Sequence, residues 1–278
     1  DRGRPQLEPR IDGRDYRIDS GFIVHNTANY PLFSAFLREL GVETKQTEMS
    51  FAVHNRALGM YYNARDTGTL FAQKRNLWSA GFWRMLWQIR RFYRECPALL
   101  DSPADGPSLG DYLKDNGYSR YFAENHLIPM ASALWSSPSR KILDFPAKYL
   151  VSFMANHHML QVSGRPQWRV LQNGSSAYIE AVCRRWNVRV NTDATIREVR
   201  RYDSHVDILC GDSCERFDQV VFACHSDQAL RLLAEPTAAE SDILGAIRYQ
   251  GNETILHSDS SVLPPDRRAW AAWNADIP

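Results

Sequence analysis

Residues 16–26 read YRIDSGFIVHN. A short strand, Tyr16 to Ile18, is interrupted by Asp19-Ser20-Gly21 and followed at once by an apolar run, Phe22, Ile23 and Val24. A surface hairpin justifies the glycine but does not need apolar residues on both sides of it. A backbone that passes very close to something flat and polar needs both, because only glycine approaches without a Cβ. Taken alone, the segment reads as a turn or bulge. The rest of the chain weighs the two readings.

The 278 residues suffice for one large domain or two intertwined ones. A formal net charge of +1 gives no global electrostatic case for nucleic acid or strongly acidic partners. Five cysteines, an odd number without framework spacing, point to a reducing compartment and hence a cytoplasmic location. No apolar run reaches the length of a spanning helix, and no signal peptide is present. The chain starts DRGRP and stops at WNADIP in mid-pattern, so it reads as a fragment of a longer protein.

Residues 11–24 read as strands and Pro31–Leu40 as a helix stopped by Gly41. Strand pieces are expected around Met49, Phe51, Val53 and Tyr61, and a helical region from Asn76 to about Leu160. Gly174-Ser175-Ser176 opens a helix over Ala177–Arg185, with hydroxyls suited to capping. Strands follow near Val188–Asn191, Ile196–Arg201 and Val206–Cys210, with a turn at Gly211-Asp212. The run QVVFAC (219–224) is apolar without alternation, as in a parallel strand buried on both faces. It feeds a helix starting at Ser226 or Asp227, a junction where α/β folds set ligand phosphates against free N–H groups.

Several chemistries are excluded by motif. There is no G-x-G-x-x-G, no Walker loop, no G-x-S-x-G and no H-E-x-x-H. Cys210 and Cys214 flank a turn without a second pair at zinc spacing, and His157-His158 reads as surface, so no metal is expected. No catalytic residue is identified.

What changes the reading is order. DSGFIVHN, YPLFSAFLRELGV, TEMSF, ALWSSP, LDFPA, RPQWRVLQNGSSAYIEAV, FDQVVFACHSDQALRLL and RAWAAWN follow one another along the chain. This succession resembles the flavin-containing amine oxidase superfamily, which includes monoamine oxidases, protoporphyrinogen oxidases and phytoene desaturases. It is most similar to a bacterial subgroup described as predicted NAD/FAD-binding proteins. Members open with a G-x-G-x-x-G βαβ unit; Asp1-Arg2-Gly3-Arg4 resembles a remnant of the loop that follows it, so the N-terminal βαβ is expected to be missing, with the C-terminal flavin segment.

The resemblance implies an α/β fold and FAD as cofactor. It implies a discontinuous, Rossmann-like FAD-binding domain of the glutathione-reductase type (about 1–42 and 170–240) and a mixed helical and strand substrate domain (about 43–169 and 241–278). By the same resemblance Asp19, Ser20, Gly21 and Phe22 lie along the flavin ring, which answers the question of the glycine. Ile196, Ala223, Cys224 and His225 match the adenosine and pyrophosphate side, and Gln167 with Trp168 matches the substrate cavity. The strand GNETILHSD matches one that carries a flavin-side Lys in amine oxidases; here Glu253 falls near that place and no Lys follows Lys148, which weakens amine oxidation specifically.

The implied function is FAD-dependent, amine oxidase-like hydride transfer from a substrate C–H or C–N, with the isolated fragment inactive. Two alternatives stand: a flavin-dependent desaturase of acyl or isoprenoid lipid, and a non-catalytic partner of a lipid-modifying enzyme. The substrate is a small molecule or lipid, and nucleic acid is not expected. From Thr67 to Arg94 there are six basic residues and no acid. Trp78, Phe82, Met85 and Ile89 share one helical face, so the stretch reads first as a helix buried on that side. Clustered arginines with aromatics on further faces also fit peripheral contact of 75–94 with an anionic membrane.

Overall fold

The computed structural model describes the chain apart from residues 1–5, 8, 12, 20, 102–105, 136–138, 162–163 and 252. It falls into two compact units, Pro5–Arg185 with Leu256–Pro278, and Trp186–Ile255.

In the larger unit, the Pro31–Leu40 helix starts with Pro at its first turn and ends at Gly41, whose φ of 68° is the left-handed cap. The Gly41 N–H donates to the Arg38 carbonyl, and the Val42 N–H to that of Leu37. A hairpin of Phe51–Asn55 and Met60–Asn63 is joined by Trp273–Ile277, which runs parallel to Phe51–Asn55. A second ladder pairs Thr44–Thr47 with Trp168–Leu171, and His25 pairs with Arg169.

Helices fill the middle of this unit. Ala80–Glu95 is capped by the Ser79 hydroxyl, which accepts from the Phe82 N–H at 3.2 Å. Phe82, Met85 and Phe92 sit on its inner face and are fully buried. They join Tyr62, Phe122, Leu127, Leu150 and Met154 in one apolar core. Phe92 alone makes ring contacts with Tyr93, Tyr112, Tyr118 and Phe122.

The smaller unit is an antiparallel meander of Ile196–Arg201, Val206–Cys210 and Ser213–Phe217, with Gly211 at φ 58° in the two-residue turn. Helices Ser226–Leu232 and Ala238–Ala246 follow, the first packed on Ile196–Arg201.

Four expectations are corrected. Residues 219–224 form no strand, and Val221 is 89% exposed. An apolar run becomes a strand only when a ladder partner satisfies its backbone, and among the described residues none does. Val188–Asn191 is likewise irregular, with Val188 and Val190 exposed. The described part of GNETILHSD is also without regular structure. Trp78 does not share the buried face of Phe82, Met85 and Ile89. It ends a separate 3₁₀ turn, Lys74–Trp78, one residue before the Ser79 cap resets the helical phase.

These placements set a contrast in stability. Phe92→Ala is expected to cost about 3–5 kcal/mol, as for large-to-small changes in a packed core. Trp78→Ala, at a side chain exposed over most of its surface, is expected to stay within about 0.5 kcal/mol. Urea denaturation followed by circular dichroism measures both; equal effects contradict the placement of the core.

Candidate functional site

A cavity of about 430 Å³ lies within the larger unit. Phe51, Met130, Leu134, Phe153 and Met159 give it an apolar wall, and Tyr93, His126, Gln167 and Trp168 add polar groups. Its one lining carboxylate among the described residues, Glu48, is engaged: Arg65 Nη1 stands 3.3 Å from Oε2, and the Ser50 hydroxyl donates to Oε1 at 3.1 Å.

His126 is held by the fold rather than by solvent. It belongs to a π-turn, Ala123–Leu127, between Arg120–Phe122 and the Ile128–Trp135 helix. Asn125 is fixed there by Asn55 Nδ2, which donates to its Oδ1 at 2.8 Å, and its own Nδ2 donates to the Tyr121 carbonyl at 2.9 Å. The Tyr62 hydroxyl lies 2.9 Å from both the Asn125 carbonyl and His126 Nδ1. It carries one proton; directed at the carbonyl, that proton leaves its lone pair for an Nδ1–H of His126. Nε2 is then the acceptor, facing the Tyr93 hydroxyl at 3.5 Å. Burial, with the positive charge of Arg165 as a second cause, pulls the imidazole down to about 3. His126 is therefore neutral at physiological pH.

The Asp19–Val24 segment adjoins this cavity through Val24, with Tyr30 beside it in the lining. Asp19 closes the two-residue strand Ile18–Asp19, and its carboxylate accepts the Ser175 N–H at 2.8 Å. That N–H precedes the Ser176–Arg185 helix, where a negative charge is favourable. The Ser175 hydroxyl, expected to cap this helix, instead donates to the Phe22 carbonyl at 3.1 Å. The preceding turn has Asn173 at φ 69° and Gly174 at φ 79°. A left-handed position is adopted most readily by Gly and next by Asn, which is how these two residues make the turn.

Gly21 sits in a bend whose φ is not positive, and a Cβ built there meets no atom within 4 Å. Neither the bend nor the packing of the described residues requires glycine there. Phe22 stands edge-on to Phe33 and Tyr30, yet Phe22 and Ile23 remain exposed. Just beyond, His25 and Asn26 are buried with His25 Nδ1 and Asn26 Nδ2 lacking hydrogen-bond partners among the described residues. Burial, then the nearby Arg169, lowers the His25 pKa. Ser20 lies outside the described residues.

Gln167 and Trp168 both line the cavity, and Gln167 Nε2 donates to the Thr47 carbonyl at 2.8 Å. In the smaller unit, Ile196 begins its strand, half exposed, while Ala223, Cys224 and His225 form an exposed approach to the Ser226–Leu232 helix. His225 stacks on Tyr249 at 4.2 Å, and the Ser226 N–H donates to the Tyr249 hydroxyl at 3.1 Å. That first N–H group is thus engaged within the unit. Glu253 is exposed in an irregular segment. No cluster of metal-ligating side chains occurs among the described residues. His126, Tyr62 and Tyr93 were not legible in the sequence as a group, since a π-turn inserts a residue that 3.6-residue periodicity does not register.

Residues 8–256 match the family model described as flavin containing amine oxidoreductase. Solved structures similar to the chain include putrescine oxidase bound to putrescine, at 15% identity and a TM-score of 0.59 over 87% of this chain and 55% of that one. Cyclohexylamine oxidase from Brevibacterium oxydans is similar at 12% identity and a TM-score of 0.59, covering 87% and 55%. A fatty acid isomerase from P. acnes is similar at 15% identity and a TM-score of 0.56, covering 86% and 54%. The chain thus spans about half the length of these structures, and the likeness shows the fold. Among curated proteins none matches it by sequence.

The buried imidazole has a measurable consequence. A histidine depressed in the folded state binds its proton on unfolding, so stability is full above the unfolded value of 6.5 and falls as pH drops toward about 3. Between pH 6.5 and 5 most carboxylates stay ionised, and a buried histidine held neutral contributes a slope of up to about 1.4 kcal/mol per pH unit. His126→Gln is expected to remove one such share of the slope, leaving a smaller one from His25. Urea midpoints at stepped pH values measure it; an unchanged slope contradicts a buried neutral His126.

Proposed function

The chain belongs to the flavin containing amine oxidoreductase family, and on that premise we propose that it is part of a FAD-dependent oxidoreductase that takes hydride from a substrate C–H or C–N. The observation that carries this reading is Gly21: a glycine without conformational or packing cause, on an exposed apolar ledge that leads through Val24 into the cavity. A flat ring laid on that ledge supplies the missing cause, because a Cβ there would project into its space. His25 Nδ1 and Asn26 Nδ2 nearby, without a partner among the described residues, fit a polar group of a bound ligand.

On this proposal Asp19 holds the ledge in place, Gly21 and Phe22 bear on the ring, and Gln167 and Trp168 lie on the substrate side. Ile196 and the Ala223-Cys224-His225 run keep the family's adenosine-side pattern, and Glu253 its place near the missing Lys. The FAD-binding domain would be discontinuous, about 1–42 and 170–240, with the βαβ unit supplied by sequence outside these 278 residues. The unpaired, exposed Val221 fits a strand to be completed by such a unit.

Bound flavin supplies the two-electron acceptor. The chain's residues do the rest: the Phe and Met wall excludes water, and Gln167 offers a fixed amide at the cavity. His126 takes no proton near neutrality; it positions the Tyr93 hydroxyl at the cavity wall. A second reading, desaturation of an acyl or isoprenoid chain, is favoured by one observation. The cavity wall is apolar and Glu48 is already paired with Arg65, so a cationic amine finds no free carboxylate there.

In the full-length protein Gly21→Val is expected to abolish flavin incorporation, while Gln167→Ala keeps it. Visible absorbance of the purified variants reads both. A yellow Gly21→Val protein with an ordinary flavin spectrum sinks the placement. Anaerobic bleaching by amines against unsaturable acyl chains then separates the two substrate classes.

A further inference from the structure

The segment 74–94 carries an exposed face that the cavity and the core do not use. Trp78 is 89% exposed, Trp87 58%, Trp83 49% and Leu77 43%. On the Ala80–Glu95 helix, Trp83, Trp87, Arg90 and Arg94 are spaced i, i+4, i+7 and i+11, which gathers them within about 60° of the helical circumference. They point away from Phe92 and Met85, which fill the core. Trp78 and Leu77 extend the face through the preceding 3₁₀ turn. The Trp83 indole N–H donates to the Leu77 carbonyl at 2.8 Å, which ties turn and helix together.

The exposed charges of this segment are of one sign. Lys74, Arg75, Arg84, Arg90 and Arg94 are exposed, and no acid occurs between Thr67 and Arg94. Glu95, the next residue, is shared by Arg91 and Arg94. Arg75 is spent on the Leu58 and Gly59 carbonyls, which neutralise nothing. Lys74, Arg84 and Arg90 have no ion-pair partner among the described residues. Contiguous exposed aromatics are unusual on a surface that meets only water.

We propose that this Trp–Arg face is a peripheral docking surface for anionic lipid, with the indoles at headgroup depth and the guanidinium groups on the phosphates. Indole rings favour the membrane–water boundary, and each nearby cation adds attraction to an anionic leaflet. An acidic protein would offer the same charge, but tight protein docking seats aromatic anchors in pockets. Trp78, Trp83 and Trp87 are exposed and lie outside the lining of the cavity. A fluid bilayer takes up exposed indoles without a shaped pocket. Tyr93, which lines the cavity, lies about 90° round the same helix from this face. The proposal stands on the surface itself and not on the flavin reading.

The test is sedimentation of the full-length protein with vesicles of phosphatidylcholine alone or mixed with phosphatidylglycerol, at low and raised salt. Binding is expected to the mixed vesicles only, weakening as salt screens the charges. Arg84→Glu with Arg90→Glu, and separately Trp78→Ser with Trp87→Ser, are expected to reduce the partition at least about tenfold. Circular dichroism confirms that these exposed replacements leave the fold intact. Flavin content, read on the same samples, separates this result from the cofactor's. No binding to either vesicle, equal binding to both, or binding unchanged in the variants overturns the proposal, whether an acidic protein then occupies the face or nothing does.

Discussion

The placement of the Gly21 segment depends on a hydrogen bond between residues 156 positions apart, from the Ser175 N–H to the Asp19 carboxylate. It ties the start of a helix to the end of a two-residue strand whose ladder partner is the equally short Gln6–Leu7. The charge meets the helix N-terminus where the macrodipole favours it. The Ser175 hydroxyl then fixes the Phe22 carbonyl, so the backbone on both sides of Gly21 is anchored to one residue. The left-handed pair Asn173-Gly174 presents Ser175 for this role. The ladder between His25 and Arg169 continues the same attachment toward the cavity.

From that anchor the chemistry of the cavity follows. An apolar wall is inexpensive to bury, but a histidine in it is stable only if its ring nitrogens are satisfied and its proton released. Tyr62, Asn125 and Asn55 meet the first condition through a chain of hydrogen bonds ending in the Met60–Asn63 and Phe51–Asn55 hairpin. Desolvation meets the second. A neutral imidazole beside Tyr93 suits the proposed function, in which the redox work would fall to a bound group and not to an acid–base pair.

Local signals were legible in the sequence where the cause is local. Pro31 and Gly41 bound their helix, the Gly174-Ser175-Ser176 turn opens the Ser176–Arg185 helix, and Gly211 sets the turn of the meander, all as read. The signal failed where the cause is distant. Residues 219–224 have the composition of a buried strand but no ladder partner among the described residues, and composition cannot supply one. Trp78 was assigned by helical phase across Ser79, although a cap there restarts the phase. The capping role went to Asp19, far away in sequence, and not to the Ser175 hydroxyl. His126 entered the cavity through a π-turn that periodicity does not reveal.

A crystal structure of the full-length protein with FAD tests the central claim most directly. The account predicts the isoalloxazine ring in van der Waals contact with the Gly21 Cα, within about 4 Å, with the cavity bordered by Val24 and Tyr30 open on its substrate side. A ring seated elsewhere, or filling the cavity between Phe51 and Phe153, contradicts it.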